Sequence, residues 1–244
     1  MATKTATPKN SSVEKAPALP SESVGDSTYR RIKRDVIFGK LAPGTKLKLE
    51  KMGVAYGASV STLREALNRL GSEGFVVAEG QRGFEVAEIS PAEFRQLADM
   101  RELLECHALE GSFEAGDLDW EAGVVAAHHK LASLEKMMLA GEVSRTEEWK
   151  QCDWQFHHAL ISACGSKVLL DAHAAVYDKY LRYQMIAVVF RGEVAANEHK
   201  KLLDAALKRD FPAAQKTLIA HIHDCVDHVL GTANTLPAIT KRGK

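Results

Sequence analysis

The chain has 244 residues, 45% hydrophobic and 26% charged, with a formal net charge of zero. That is apolar material for one large or two smaller globular cores. No apolar run approaches the roughly 20 residues that cross a bilayer, and the polar start lacks a signal-peptide core, so the expectation is a cytoplasmic protein with no membrane partner. The four cysteines, Cys106, Cys152, Cys164 and Cys225, form no C-x-x-C pair, which argues against a zinc ribbon or a disulfide framework.

Neutrality conceals an asymmetry. Residues 27–88 carry 11 Lys and Arg against 7 Asp and Glu, whereas residues 89–230 carry 15 against 22. A basic front and an acidic back imply two domains with different partners.

Residues 1–26 are rich in Ser, Thr, Ala, Pro and Lys and read as a flexible tail. "TYRRIKRDVIF" then puts Tyr29, Ile32, Val36 and Ile37 on one helical face, and "GKLAPGT" ends that helix. A second helix is expected over residues 50–56, a break at Gly57, and a third helix over residues 61–73 with Leu63, Ala66, Leu67 and Leu70 inward. "FVVAEGQRGFEVAEI" holds two β-rich segments, residues 75–78 and 83–86, around a turn. Helix, turn, helix and hairpin together describe a winged helix-turn-helix over residues 27–88.

"SPAEF" is a start signal, because Ser90 can cap, Pro91 suits the first helical position and Glu93 completes a capping box. Six helices are expected after it, at 91–115, 119–140, 146–164, 167–189, 193–209 and 212–231. The fold class is therefore mainly α: a winged helix-turn-helix followed by an all-α bundle over residues 90–232, with a basic tail from residue 233.

A helix-turn-helix lays its second helix in the major groove, and the side chains near that helix's start reach base edges. Here these are Ser59, Ser61, Thr62 and Arg64, the last able to pair bidentately with guanine. Lys46, Lys48, Gln81 and Arg82 are placed to add phosphate or minor-groove contacts. On composition alone, "LREAL" is equally a good helix former in any small domain. The run from "IFGKLAPGT" to "RGFEV", with its "LREAL-x-RL-x-x-EG" helix and "RG" wing, resembles the winged-helix domain of GntR-family transcription regulators. The chain departs from the common pattern at Val60, often Arg, and Thr62, often Pro, so the family's base contacts do not transfer intact.

In the back half, "CDWQFHHAL" carries Asp153 and His157 on the stripe formed by Trp149, Cys152, Phe156, Leu160 and Ala163. Burying a carboxylate and an imidazole is costly without a partner. Spacing of four suits two metal ligands on one helix face, and equally suits a hydrogen-bonded core pair. His199 shares a stripe with Ala195, Leu202 and Ala206, while periodicity leaves His221, His223 and His228 undecided.

"DMRELLE", "DWQFHHALISACGS" and "EHKKLLDAALKRDFPAAQKTLIAHI" are similar to the FCD domain of the FadR-like branch of GntR regulators. That resemblance implies Asp153, His157, His199 and His221 as ligands of a divalent metal, zinc foremost, with nickel or manganese compatible. It also implies a small organic acid as effector and a homodimer on a palindromic operator. "TKLKL" and "YGASVSTLREAL" are closest in texture to carbon-starvation-induced regulators linked to glutarate and 2-hydroxyglutarate, which points to a C5 dicarboxylate.

Arg101, inward with Leu104 and Glu105, is the expected carboxylate clamp. Arg182 in "YLRYQM" is a second candidate, set against a reading as a solvated surface arginine. The helix following the wing is the expected coupling element. The resulting expectation is a repressor of a catabolic operon, not an enzyme, since four side chains go to the metal and none is evidently left as a general base. A metal sensor and a metalloenzyme fused to a DNA-binding module are the alternatives.

Overall fold

Ser23 opens the first helix by accepting a hydrogen bond from the Asp26 N–H at 3.0 Å. The resulting α1 (Val24–Ile37) buries Thr28, Ile32, Val36 and Ile37. The computed structural model describes residues 23–80, 83–187 and 190–233. Thus α1 begins inside the segment that reads as tail, because a side-chain cap on its first turn compensates for the scarcity of large apolar residues there.

After α1 come β1 (Lys46–Leu47), α2 (Leu49–Tyr56) and α3 (Val60–Ser72). Gly57, with φ of 65°, ends α2 in a left-handed conformation that favours glycine. β2 (Val76–Ala78) and β3 (Phe84–Val86) form the hairpin, and β1 joins it to give an antiparallel sheet of order β1-β3-β2. The pairing sets Lys46 opposite Glu85 and Val76 opposite Val86. The third strand is not readable in the sequence, since two residues are too few to show an alternation. Gln81 and Arg82 lie outside the described residues.

The bundle follows as α4 (Pro91–Ala115), α5 (Leu118–Leu139), α6 (Thr146–Ile161), α7 (Lys167–Ala187), α8 (Glu193–Lys208) and α9 (Phe211–Ala233), with a 3-10 turn at Val143–Arg145. Ser90 caps α4 through the Glu93 N–H at 3.1 Å. No helix among the described residues is long and apolar enough to cross a membrane.

Two apolar clusters hold the molecule. One, with Phe94, Leu109, Val124, Leu131, Phe156, Leu202 and Ile222, fills the bundle. The other joins Ile32, Val36, Leu63, Leu67, Leu70 and Phe84 of the N-terminal domain to Tyr177, Leu181 and Met185 of α7. α7 supplies Tyr180 and Tyr183 to the first cluster as well, so it is apolar on opposite sides and has no solvent face from Tyr180 to Met185. Each large side chain so buried is worth about 1.5–3 kcal/mol relative to exposure. Ion pairs frame this contact: Lys33 lies 2.8 Å from both Glu73 and Asp178, and Arg34 pairs with Glu147.

Arg182 departs from the reading as a solvated surface arginine. It is buried on α7, and its guanidinium donates to the Ala87 carbonyl at the domain junction. Tyr183 adds to that junction, donating to Glu93 at 2.5 Å and accepting from the Ser90 N–H at 3.2 Å.

Candidate metal centre and nucleic-acid interface

Ser59 caps α3 by accepting from the Thr62 N–H at 3.2 Å. Its hydroxyl also lies 2.8 Å from that of Ser61 and 2.9 Å from that of Thr62. The three hydroxyls thus form one cluster at the helix start, where the backbone N–H groups also favour anions. Arg64 is exposed one turn on. Lys46 and Lys48 are exposed at the neighbouring strand and helix start, and Lys46 lies 3.6 Å from Glu79. The opposite side of α3 is held to α1, where Arg69 meets Asp26 at 2.8 Å and stacks on Tyr29.

The bundle brings Asp153 and His157 of α6, His199 of α8 and His221 of α9 together. One ligand atom from each lies within 4.8 Å of all the others, and all four residues are buried. His223 instead meets Glu102 at 2.6 Å, and His228 is exposed. His158 turns away and stacks on Trp154.

Each of the three imidazoles is fixed through Nδ1 by a glutamate. His157 meets Glu105 at 2.5 Å, His199 meets Glu135 at 2.6 Å, and His221 meets Glu198 at 2.8 Å. Nδ1 is then the donor, so each neutral ring directs the lone pair of Nε2 toward the centre. His157 Nε2 and His199 Nε2 are sealed from solvent without a hydrogen-bond partner, and Asp153 Oδ1 stands 4.0 and 3.2 Å from them. Acceptors facing acceptors repel unless a cation lies between them. This donor set therefore fits a divalent metal.

Charge balance points the same way. Burial works against ionisation of Asp153, yet Lys150 and the facing histidines hold its carboxyl well below the usual range. Burial likewise opposes charge on His199, but contacts with Asp153 and Glu135 push it up to about 9. Burial, with His199 and His157 adding to it, keeps His221 well below its ordinary value.

Arg101 is buried beside this centre. Nε pairs with Glu105 at 2.8 Å, a terminal nitrogen lies 3.1 Å from His157 Nδ1, and the guanidinium packs over the rings of Tyr177 and Tyr180. Burial opposes ionisation of Glu105, but Arg101 and the neighbouring histidines hold it well below the usual carboxylate range.

Sequence reasoning missed the glutamates as partners. Glu135 lies between Leu131 and Met138 on a buried stripe, the same signal that singled out Asp153. Glu198 immediately precedes His199 and Glu105 lies four residues after Arg101, but their targets depend on tertiary structure.

With this geometry in view, comparison with known proteins places the chain. Residues 25–86 match the family of bacterial regulatory proteins, gntR family, and residues 96–224 match the FCD domain. The regulator BphR of Paraburkholderia xenovorans is 35% identical over 216 residues, covering 87% of this chain and 88% of that one. The transcriptional repressor GlaR of Escherichia coli is 31% identical over 200 residues, covering 80% and 90%. The solved structure of E. coli McbR/YncC shares the fold, with a TM-score of 0.74 at 19% identity over 87% of this chain and all of that one. BphR and GlaR are by name HTH-type transcriptional regulators. The chain belongs to the GntR family of DNA-binding transcription regulators and carries an FCD domain.

Proposed function

We propose that this regulator represses transcription as a homodimer on a palindromic operator, and that a small carboxylate bound at a divalent metal in the C-terminal domain releases it. One observation carries the metal reading: three imidazoles, each fixed through Nδ1 by a glutamate, converge with Asp153 on one buried point. Zinc suits one carboxylate and three neutral imidazoles, with nickel or manganese compatible. A bound ion of this kind supplies open coordination positions for a carboxylate with an adjacent hydroxyl or keto oxygen. Arg101 offers a guanidinium beside that point, able to meet a second carboxylate.

Repression is supported by the name of the repressor GlaR, with which the chain shares 31% identity. The resemblance to regulators of glutarate and 2-hydroxyglutarate metabolism makes these the first acids to try. On the DNA side, α3 leads with Ser59, Ser61, Thr62 and Arg64, supported by Lys46 and Lys48. Gln81 and Arg82 complete the proposed set from the sequence alone.

The test is fluorescence anisotropy on an operator selected from random DNA, with zinc-loaded and chelator-stripped protein. Glutarate or 2-hydroxyglutarate should weaken operator binding about tenfold, or about 1.4 kcal/mol, in the zinc-loaded protein only. Equal release from stripped protein would contradict the metal role. Full release by zinc alone would favour a metal sensor.

A further inference from the structure

Asp153 presents its two oxygens to different parts of the molecule. Oδ1 faces the imidazoles of His199 and His157. Oδ2 accepts from the Tyr177 hydroxyl at 2.9 Å and from Lys150 Nζ at 3.2 Å. The Tyr177 ring is fully buried within the apolar cluster of the DNA-binding domain. One side chain therefore runs from the candidate metal-ligand carboxylate into the core that carries α3. The next residue, Asp178, pairs with Lys33 of α1. Beside this contact, α1 and α6 leave a cleft of about 470 Å³, lined in part by Lys33, Phe38, Lys150 and Trp154. On that side Trp154 of α6 packs against the edge of the same cluster, while α7 enters it with Tyr177, Leu181 and Met185 and so provides the larger apolar link.

We infer that Tyr177 is the positioning residue through which the state of Asp153 sets the seating of the DNA-binding domain, an inference that rests on the metal reading above. When Oδ1 engages a cation, Oδ2 becomes a weaker acceptor for the Tyr177 hydroxyl. Any rotation of the carboxylate moves Oδ2 against a ring locked in the other domain. Packed cores answer such displacements by shifting between arrangements rather than by deforming continuously. A hydrogen bond to a charged carboxylate corresponds to about tenfold or more in an equilibrium constant, which matches the scale of a tenfold change in operator affinity. This places the coupling in α7 rather than in α4, the helix that follows the wing.

The experiment is hydrogen exchange on the full chain with and without equimolar zinc, read in α1 and α3, with metal content measured in parallel. Tyr180→Phe is the control: it lies on the same helix, but its hydroxyl donates to the Ile222 carbonyl at 2.8 Å inside the bundle. Zinc should change exchange in α1 of the wild type about tenfold, the scale of one charged hydrogen bond. Tyr177→Phe should bind zinc with unchanged stoichiometry and lose most of that change, while Tyr180→Phe keeps it.

Retention of the change in Tyr177→Phe, equal loss in Tyr180→Phe, or no change in a zinc-loaded wild type would each overturn the inference. So would failure of Tyr177→Phe alone to take up zinc, because the hydroxyl would then serve the site itself. A wild type that binds no zinc would overturn the metal reading and the inference with it.

Discussion

The two domains place their candidate functional side chains on opposite sides of the hydrophobic boundary. In the N-terminal domain Leu63, Leu67 and Leu70 face the core while Ser61 and Arg64 face solvent. In the C-terminal domain Asp153, His157, His199 and His221 are themselves interior. The exposed Ser61 and Arg64 can therefore be altered without loosening the fold, Ser59 excepted because it caps α3, whereas the candidate metal centre shares atoms with the packing around it. Buried ionic groups are retained at a cost in stability and need complete partners. Glu105 shows this, since Arg101, His157 and His173 all converge on its carboxylate.

Substitutions on either side of that boundary should separate the two behaviours. The largest effect is expected from Arg101→Ala, which strands the buried Glu105 charge and should cost about 3–5 kcal/mol of stability in thermal or denaturant unfolding. A loss below about 1 kcal/mol would mean the guanidinium is not the charge partner that the geometry makes it. His199→Ala and His221→Ala should each abolish stoichiometric metal, while His158→Ala keeps it. Elemental analysis of the three purified variants decides this, and full metal in the first two would remove the site assignment.

Glu135→Gln should be milder, weakening metal affinity about 10- to 100-fold by loosening the orientation of His199. Competition with a chromophoric chelator measures it, and unchanged affinity would show that the carboxylate contributes nothing to the site. Across the boundary, Arg64→Ala should lose about 1–3 kcal/mol of operator affinity with its unfolding temperature unchanged. A shifted unfolding temperature would break the contrast between the domains. The smallest effect is Ser59→Ala, at about 1 kcal/mol of stability from the lost cap; equal stability would place the hydroxyl cluster wholly in the service of DNA.

Much of this architecture is legible in the sequence because helices announce themselves through apolar spacing and Gly or Pro breaks. Leu63, Ala66, Leu67 and Leu70 illustrate the point. The start of α1 was obscured by the absence of large apolar residues, although Ser23 followed by Asp26 is a readable capping signal. Arg182 misleads because an arginine normally finds solvent, and only the double packing of α7 removes it. Asp153 and His157 are visible as a pair since one helix carries both. The choice of His221 over His223 and His228 came from resemblance, because α9 is apolar over too wide an arc for one stripe to decide. The carboxylates behind the imidazoles were hidden for a different reason: each reaches its histidine across helices, and Glu198 of α8 meets His221 of α9 rather than its own neighbour His199.

In the proposed reading a cation answers the charge buried at Asp153. X-ray absorption at the zinc edge of the loaded protein tests it most directly. The expected spectrum shows zinc with imidazole scattering from three histidines and nitrogen or oxygen donors at about 2.0–2.2 Å. Sulfur scattering near about 2.3 Å, or a spectrum unchanged in His199→Ala, would contradict it.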